Sequence, residues 1–194
     1  MSWETLSADQ ALQTAIVLWY MLTLVWLVMW IGMKRAKKSE TAWERAEHIV
    51  PVLVSFWLLF ERQWPTLNTR IMPEAPGILW AGVLLTALGV GVGVWARLSL
   101  GTNWSGMVTL KKDHELIRTG LYRWIRHPIY TGILVGFLGT ELIKGQVRGL
   151  LGFVILLLSF YFKARREENF LRQEFGEGFD EHARHTGMFL PKLT

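Results

Sequence analysis

Residues 11–33 read ALQTAIVLWYMLTLVWLVMWIGM, and KRAKK follows at once at residues 34–38. The first stretch carries no charge. As a helix rising ~1.5 Å per residue it exceeds the ~30 Å hydrocarbon thickness of a bilayer. Lys34, Arg35, Lys37 and Lys38 then act as a stop-transfer cluster, with the positive end on the cytoplasmic side. The residues before it, MSWETLSADQ, contain Glu4 and Asp9 and no Lys or Arg. That is the wrong charge for the start of a cleavable signal peptide. The stretch is therefore expected to be a transmembrane helix, which sets the fold class for the rest.

Four further apolar runs follow. A second span is expected from Glu47 to Trp64, around the run Ile49 to Phe60, and a polar, Pro-rich loop covers Pro65 to Pro76. Gly77 to Ala96 (GILWAGVLLTALGVGVGVWA) is the third span. Leu98 to Arg123 is polar, too polar to span, and reads as a structured loop on one membrane face. Ile129 to Ile143 and Gly149 to Phe162 are two short apolar runs, joined by KGQVR (Lys144 to Arg148), and form a helical hairpin. Beyond Lys163 the chain is charged. Phe170, Leu171, Phe175 and Phe179 recur at helical spacing, until Gly176, Gly178, Gly187 and Pro191 break the helix. The expected fold is all-α: a polytopic membrane protein with about five transmembrane helices, a polar loop on one membrane face and a C-terminal tail. One integral membrane domain, 1–194, divides into an N-terminal helical pair (11–64) and a core (77–194).

Composition agrees. Apolar residues make up 51% of the 194, and there are 11 Trp, a residue that collects at membrane interfaces. The absence of Cys excludes disulfides, thiolate nucleophiles and Cys metal ligands. The net charge is +5, but no basic arm or aromatic-plus-basic repeat points to nucleic acid. The basic residues are instead sorted by side. With five spans, segments 34–45, 97–126 and 163–192 share one face and hold five, six and six Lys or Arg. The other face holds only Arg62, Arg70, Lys144 and Arg148. This asymmetry orients the N-terminus outside and the C-terminus in the cytoplasm.

It also puts two chemically rich stretches on one face: GLYRWIRHPIYTG (Gly120 to Gly132) and KARREENFLRQEFG (Lys163 to Gly176). His127 and Glu167 are 40 residues apart, the length of one helix out, a turn and one helix back. That spacing returns Glu167 and Glu168 to the level of His127. Arg and Lys beside spans commonly snorkel to the headgroups, so Arg123, Arg126, Lys163, Arg165 and Arg166 taken singly read as anchors. A carboxylate pair gains nothing from anionic lipid, so His127-Pro128 with Glu167-Glu168 reads as a functional site.

GLYRWIRHPIYTG, then about forty residues, then EENFLRQEFGEGFDEH and a Pro near the end, resemble the isoprenylcysteine carboxyl methyltransferase family of integral membrane enzymes. Phospholipid methyltransferases share the pattern more loosely. The resemblance covers about Gly77 to Pro191 and is tightest from Asn103 onward. It implies S-adenosylmethionine as methyl donor and a lipophilic acceptor entering from the bilayer. It implies a donor-binding set of His114, Leu116 and Ile117 (HELI), Tyr122 of Gly-Leu-Tyr, then His127, Pro128 and Tyr130, with Glu168. It implies a catalytic set of Glu167 and Arg126 with a cation that holds the acceptor. The family's Arg four residues before the acidic residue is Lys163 here, a departure, because Lys lacks the planar fork that grips a carboxylate. Lys163, Arg165 and Arg166 are therefore all candidates for that role. A prenylcysteine carboxylate is the first choice of acceptor, and a phospholipid amine is the alternative. An NADPH-dependent membrane reductase, which has a similar RHPxY-like stretch, and a non-catalytic membrane module are the rivals.

Other signals carry less. GVGVG (Gly89 to Gly93) lies inside a span, where Gly89 and Gly93 serve close helix packing rather than nucleotide binding. His182 and His185 share a helical face but have no third metal ligand placed beside them, and no metal is expected. NWSG (Asn103 to Gly106) falls on the cytoplasmic face, as a candidate part of the donor pocket. Glu141, near the outer end of the fourth run, is expected to reach water.

Overall fold

Six helices account for nearly all the regular structure in the computed structural model, which describes residues 7–30, 42–60, 65–101 and 116–192. They are α1 (Ala8–Trp30), α2 (Ala42–Phe60), α3 (Pro76–Leu100), α4 (Pro128–Lys144), α5 (Val147–Phe175) and α6 (Glu177–His185). Among the described residues the only extended pairings are two isolated bridges, Arg70 with Gln146 and Ile125 with Gly187. The fold is all-α. α1, α3 and α5 are long and apolar enough to cross a bilayer by length and composition. α2 has 19 residues and a charged first turn and a half, and α4 has 17. Large apolar side chains such as Leu24, Leu84, Leu88 and Leu158 point outward, at half exposure or more. Such a surface suits lipid rather than water. The chain is a multi-pass membrane protein.

Local sequence explains the helix ends. At the start of α1, Gln10 N donates to Ser7 Oγ (3.2 Å) and Ser7 N donates to Gln10 Oε1 (3.0 Å), a reciprocal capping box. Pro76 and Pro128 open α3 and α4, where a missing N–H costs nothing. Gly145 ends α4 in the left-handed region (φ +57°), and Gly176 ends α5 at φ +50°. The expected helical hairpin is present, with its turn at Gly145-Gln146. α2 begins five residues before the expected Glu47, so its polar first residues are helical too. α5 does not stop at the end of its apolar run but continues unbroken through the charged segment to Phe175. The break expected at Gly178 is absent: that residue lies inside α6.

The tightest contact in the bundle is between α3 and α4. A methyl group on Gly82 would lie 2.7 Å from the Gly139 carbonyl oxygen, and one on Gly132 would lie 2.6 Å from the Gly89 oxygen. One on Gly89 would overlap the Gly136 nitrogen. The backbones touch with no side chain between them, the small-residue mode of membrane helix packing. The packing expected of Gly89 is present, and Gly93 contributes its backbone nitrogen to the same seam. Thr86 Oγ1 and Thr140 Oγ1 lie 3.3 Å apart across it, each also bonded to a carbonyl four residues back in its own helix. Trp19 Nε1 of α1 donates to Thr140 Oγ1 at 3.0 Å, so every buried polar atom in this triad has a partner. α2 packs on α5, around a core of Leu59, Leu134, Phe137, Leu156 and Phe160.

Glu141 does not reach water. It is 8% exposed, and its Oε1 accepts from Gln146 N at 2.7 Å, capping the start of α5. Helix N-termini present unpaired N–H groups, and a carboxylate one turn away satisfies them better than solvent does.

Replacing Gly89 with Ala should lower stability by about 1–3 kcal/mol, because backbones must separate to admit the methyl. Gly91→Ala, two residues away with open space at its Cβ, should leave stability unchanged or raise it by about 0.5–1 kcal/mol. Thermal unfolding of both variants in the same detergent checks the contrast.

Candidate active site

The site forms where the start of α4 meets the charged part of α5. His127 precedes Pro128, and its backbone (φ −123°, ψ 59°) turns the chain into α4. α5 returns Glu167 and Glu168 to this level. Consecutive helical residues point about 100° apart, which lets the pair flank one ring. Glu167 Oε2 is 3.4 Å from His127 Nδ1, and Glu168 Oε1 is 3.3 Å from His127 Nε2. Arg126 Nε donates to Glu168 Oε1 at 2.7 Å, and the Tyr130 hydroxyl donates to Glu167 Oε1 at 2.7 Å. The Tyr130 ring stacks on His127 at 5.4 Å and on Phe160 at 4.6 Å. Lys163 Nζ lies 5.6 Å from the centre of the Tyr130 ring.

The two carboxylates differ in access. The Glu168 side chain is 5% exposed and held by both Arg126 and His127, whereas that of Glu167 is 21% exposed. Glu168 is thus the enclosed anchor of the cluster, and Glu167 is the more accessible carboxylate. Burial pushes the His127 pKa down, but hydrogen bonds and charge from Glu167 and Glu168 outweigh it and raise the value above its ordinary 6.5. The ring is held toward its charged form. Tyr122 is buried, with its hydroxyl 3.5 Å from the Ala96 carbonyl oxygen. Burial, then the Glu167 charge, push its pKa upward, so it stays a neutral donor.

A C-terminal strap closes the cluster from below. Arg126 N donates to Gly187 O at 2.9 Å, His127 N to Met188 O at 3.1 Å, and Gly187 N to Trp124 O at 3.1 Å. The Arg126 guanidinium also donates to the Thr186 carbonyl, Thr131 Oγ1 donates to Phe189 O at 2.7 Å, and the Phe189 ring meets both His127 and Tyr130 edge-on. Sequence reasoning missed this strap. Backbone carbonyls make most of it, and they leave no mark in residue type.

Of the expected site residues, Arg126, His127, Tyr130, Glu167 and Glu168 come together, with Pro128 setting the turn and Lys163 at the edge. Ile117 packs against Ala96, Tyr122 and Ile129, and Leu116 beside it is half-buried. Arg165 is exposed and takes no part in the cluster. Arg166 pairs with Glu47 of α2 at 2.5 Å. His114 and the Asn103 to Gly106 segment lie outside the described residues. His182 is buried in α6, and its backbone oxygen accepts from Thr186 Oγ1 at 2.7 Å.

Comparison with known proteins gives a consistent picture. Protein-S-isoprenylcysteine O-methyltransferases are among the relatives. The Xenopus laevis protein is 29% identical over 144 residues, which is 71% of this chain and 48% of that protein. The Dictyostelium discoideum protein is 26% identical, over 87% of this chain and 71% of its own length. The Saccharomyces cerevisiae protein is 34% identical, over 57% and 47%. The chain thus spans about half the length of the Xenopus and yeast relatives. A solved structure of the eukaryotic intramembrane Ras methyltransferase ICMT (isoprenylcysteine carboxyl methyltransferase) aligns with a TM-score of 0.49 and 23% identity, over 80% of this chain and 54% of that one. Residues 78–178, from α3 to the start of α6, match the family model described as phospholipid methyltransferase. The kinship expected from RHPIY and EENFLRQEFG is borne out, and the chain belongs to the phospholipid methyltransferase family, with isoprenylcysteine O-methyltransferases among its relatives.

Proposed function

We propose that this protein transfers a methyl group from S-adenosylmethionine to the carboxylate of a prenylcysteine-like, lipophilic acceptor at the cytoplasmic membrane face. The observation that carries the reading is the cluster in which His127 and Tyr130 of the 120–132 stretch are clamped by Glu167 and Glu168. The relatives' names support methyl transfer, and the sided distribution of Lys and Arg supports an inside C-terminus.

The residues fit such a donor. Glu167 offers a partly open carboxylate suited to a cation, and the Tyr130 and Phe189 rings lie beside it. When bound, S-adenosylmethionine supplies an electrophilic methyl on a sulfonium: the acceptor oxygen forms the new C–O bond as the C–S bond breaks with its electron pair left on sulfur, and no proton moves. The chain's own groups bring the two partners together and keep water out, the proximity term of catalysis. Lys163, with Arg166 one turn on, holds the acceptor carboxylate. Glu168 and Arg126 fix His127, and His127 fixes Glu167.

The phospholipid family model gives a second reading, methylation of a lipid amine. An amine must lose a proton, and the available base is poor. His127 is held toward its charged form, and both Glu167 oxygens already accept hydrogen bonds. A carboxylate acceptor needs no base, which favours the first reading.

The following outcomes are expected. Calorimetric titration of the purified protein with S-adenosylhomocysteine should show saturable binding, with none for NADPH. Glu167→Gln and His127→Ala should each weaken that binding at least tenfold, and the wild type should methylate an S-prenylcysteine in preference to a phospholipid; NADPH binding alone would overturn the reading. Glu168→Gln, which strips a buried partner from Arg126 and His127, should lower stability by about 3–5 kcal/mol in thermal or denaturant unfolding. The raised His127 pKa also sets a pH dependence: its stabilisation is full below about pH 6.5, the unfolded value. It is lost as pH rises through the folded value. The unfolding midpoint should therefore fall as pH rises above about 6.5, and in His127→Gln this component of the slope should vanish.

A further inference from the structure

A cleft of about 290 Å³ runs between α2 and α5. That is near the lower end of small-molecule sites, which span roughly 300–1,000 Å³. Pro51, Ile155, Leu158 and Phe162 form its apolar wall. Glu47, His48, Lys163 and Arg166 gather at its other end, and Glu47 Oε2 is 2.5 Å from Arg166 Nη2. Lys163 belongs to both places: it lines the cleft and sits over Tyr130, whose hydroxyl donates to Glu167. The cleft thus runs into the candidate active site at its charged end. Its volume suits one apolar chain rather than two.

Residues 78–178 carry the family match, so Glu47 lies outside it. Nothing in the clamp around His127 uses Glu47 either. Its carboxylate holds the guanidinium that an arriving anionic head would seek. We propose that the α2–α5 cleft takes a single-chain amphiphile with a carboxylate head, and that Glu47 is a specificity-determining counter-ion which the head displaces from Arg166. The inference rests on the methyl-transfer reading only in naming a prenylcysteine as the amphiphile. A neutral head cannot compete for Arg166, and a cationic head is repelled by Lys163 and Arg166, so Glu47 admits only anionic heads to that end of the cleft. The pair is partly exposed, with side chains 39% and 43% accessible, which keeps the exchange energetically small.

The test is equilibrium binding of a radiolabelled N-acetyl S-prenylcysteine, and of its carboxamide, to the full chain in neutral detergent. Glu47→Gln should tighten the carboxylate about two- to fivefold, the range of a partly exposed ion pair, and leave the carboxamide unchanged. Arg166→Met should weaken the carboxylate and abolish the effect of Glu47→Gln in the double variant. Leu158→Trp, which narrows the cleft at a lipid-facing position, should weaken both probes. Equal shifts of both probes in Glu47→Gln, no shift in either, or full binding by Leu158→Trp would overturn the proposal. Methyl transfer measured alongside separates the two readings. Transfer whose KM for the acceptor ignores Glu47 sinks the cleft and keeps the methyltransferase; Glu47-dependent binding without transfer does the reverse.

Discussion

The close approach of α3 and α4 is the constraint on which the rest depends. Lipid gives apolar side chains little reason to leave it, so membrane helices associate through dense packing and shared hydrogen bonds. Gly82, Gly89, Gly132, Gly136 and Gly139 let two backbones touch, and the Thr86–Thr140 pair bonds across them. That contact fixes the start of α4 relative to the end of α3. Arg97, fully buried there, donates to Gly101 O at 2.8 Å and to Met29 O of α1 at 3.0 Å. Three helix ends are thereby tied beside Tyr122, and His127 starts from a fixed base.

α5 supplies the other half of the site through its length. At ~1.5 Å per residue, the 20 steps from Val147 to Glu167 rise about 30 Å, one hydrocarbon thickness. The glutamate pair therefore emerges at the membrane surface and not within the lipid, where a carboxylate would be far more costly. The turn at Gly145 sets the starting level of this rise. Glu141 caps the helix there, so a buried carboxylate at the far end holds in register the two that matter at the near end.

Much of this was legible in the sequence. Charge-free runs marked α1 and α3, and the 40-residue interval paired His127 with Glu167 before any coordinates did. The length of α5 was legible too: Phe170, Leu171 and Phe175 keep the helical spacing beyond the apolar run, and Gly176 marks its end. KARREENFLRQEF consists largely of good helix formers, and propensity carried the helix on after the apolar signal ended. Gly178 was misjudged because glycine lowers helix stability without forbidding a helix, and α6 is held by outside contacts: Arg172 pairs with Asp180 at 2.7 Å and lies over the Phe179 ring. The strap at Thr186 to Phe189 left no signal, being chiefly carbonyls. The Glu47–Arg166 pair left none either, since two of many surface charges 119 positions apart share no pattern.

Charge counting bears on which acceptor the site prefers. Arg126, Lys163 and His127, whose partners favour its charged form, face Glu167 and Glu168, and the balance tips toward positive charge whenever the ring is protonated. Arg166 and Glu47 cancel each other. In a partly buried site such an excess is expensive, because attraction and repulsion both grow as water is removed. Under the proposed reaction a carboxylate head would lower that positive charge on arrival, and an amine head would not. In the proposed transfer the acceptor's negative charge and the donor's positive charge would disappear together, so the net charge of the occupied site would not change. The proposed methyl ester would then leave because it has lost the charge by which Lys163 and Arg166 would hold the carboxylate, and not because the net charge of the site had changed.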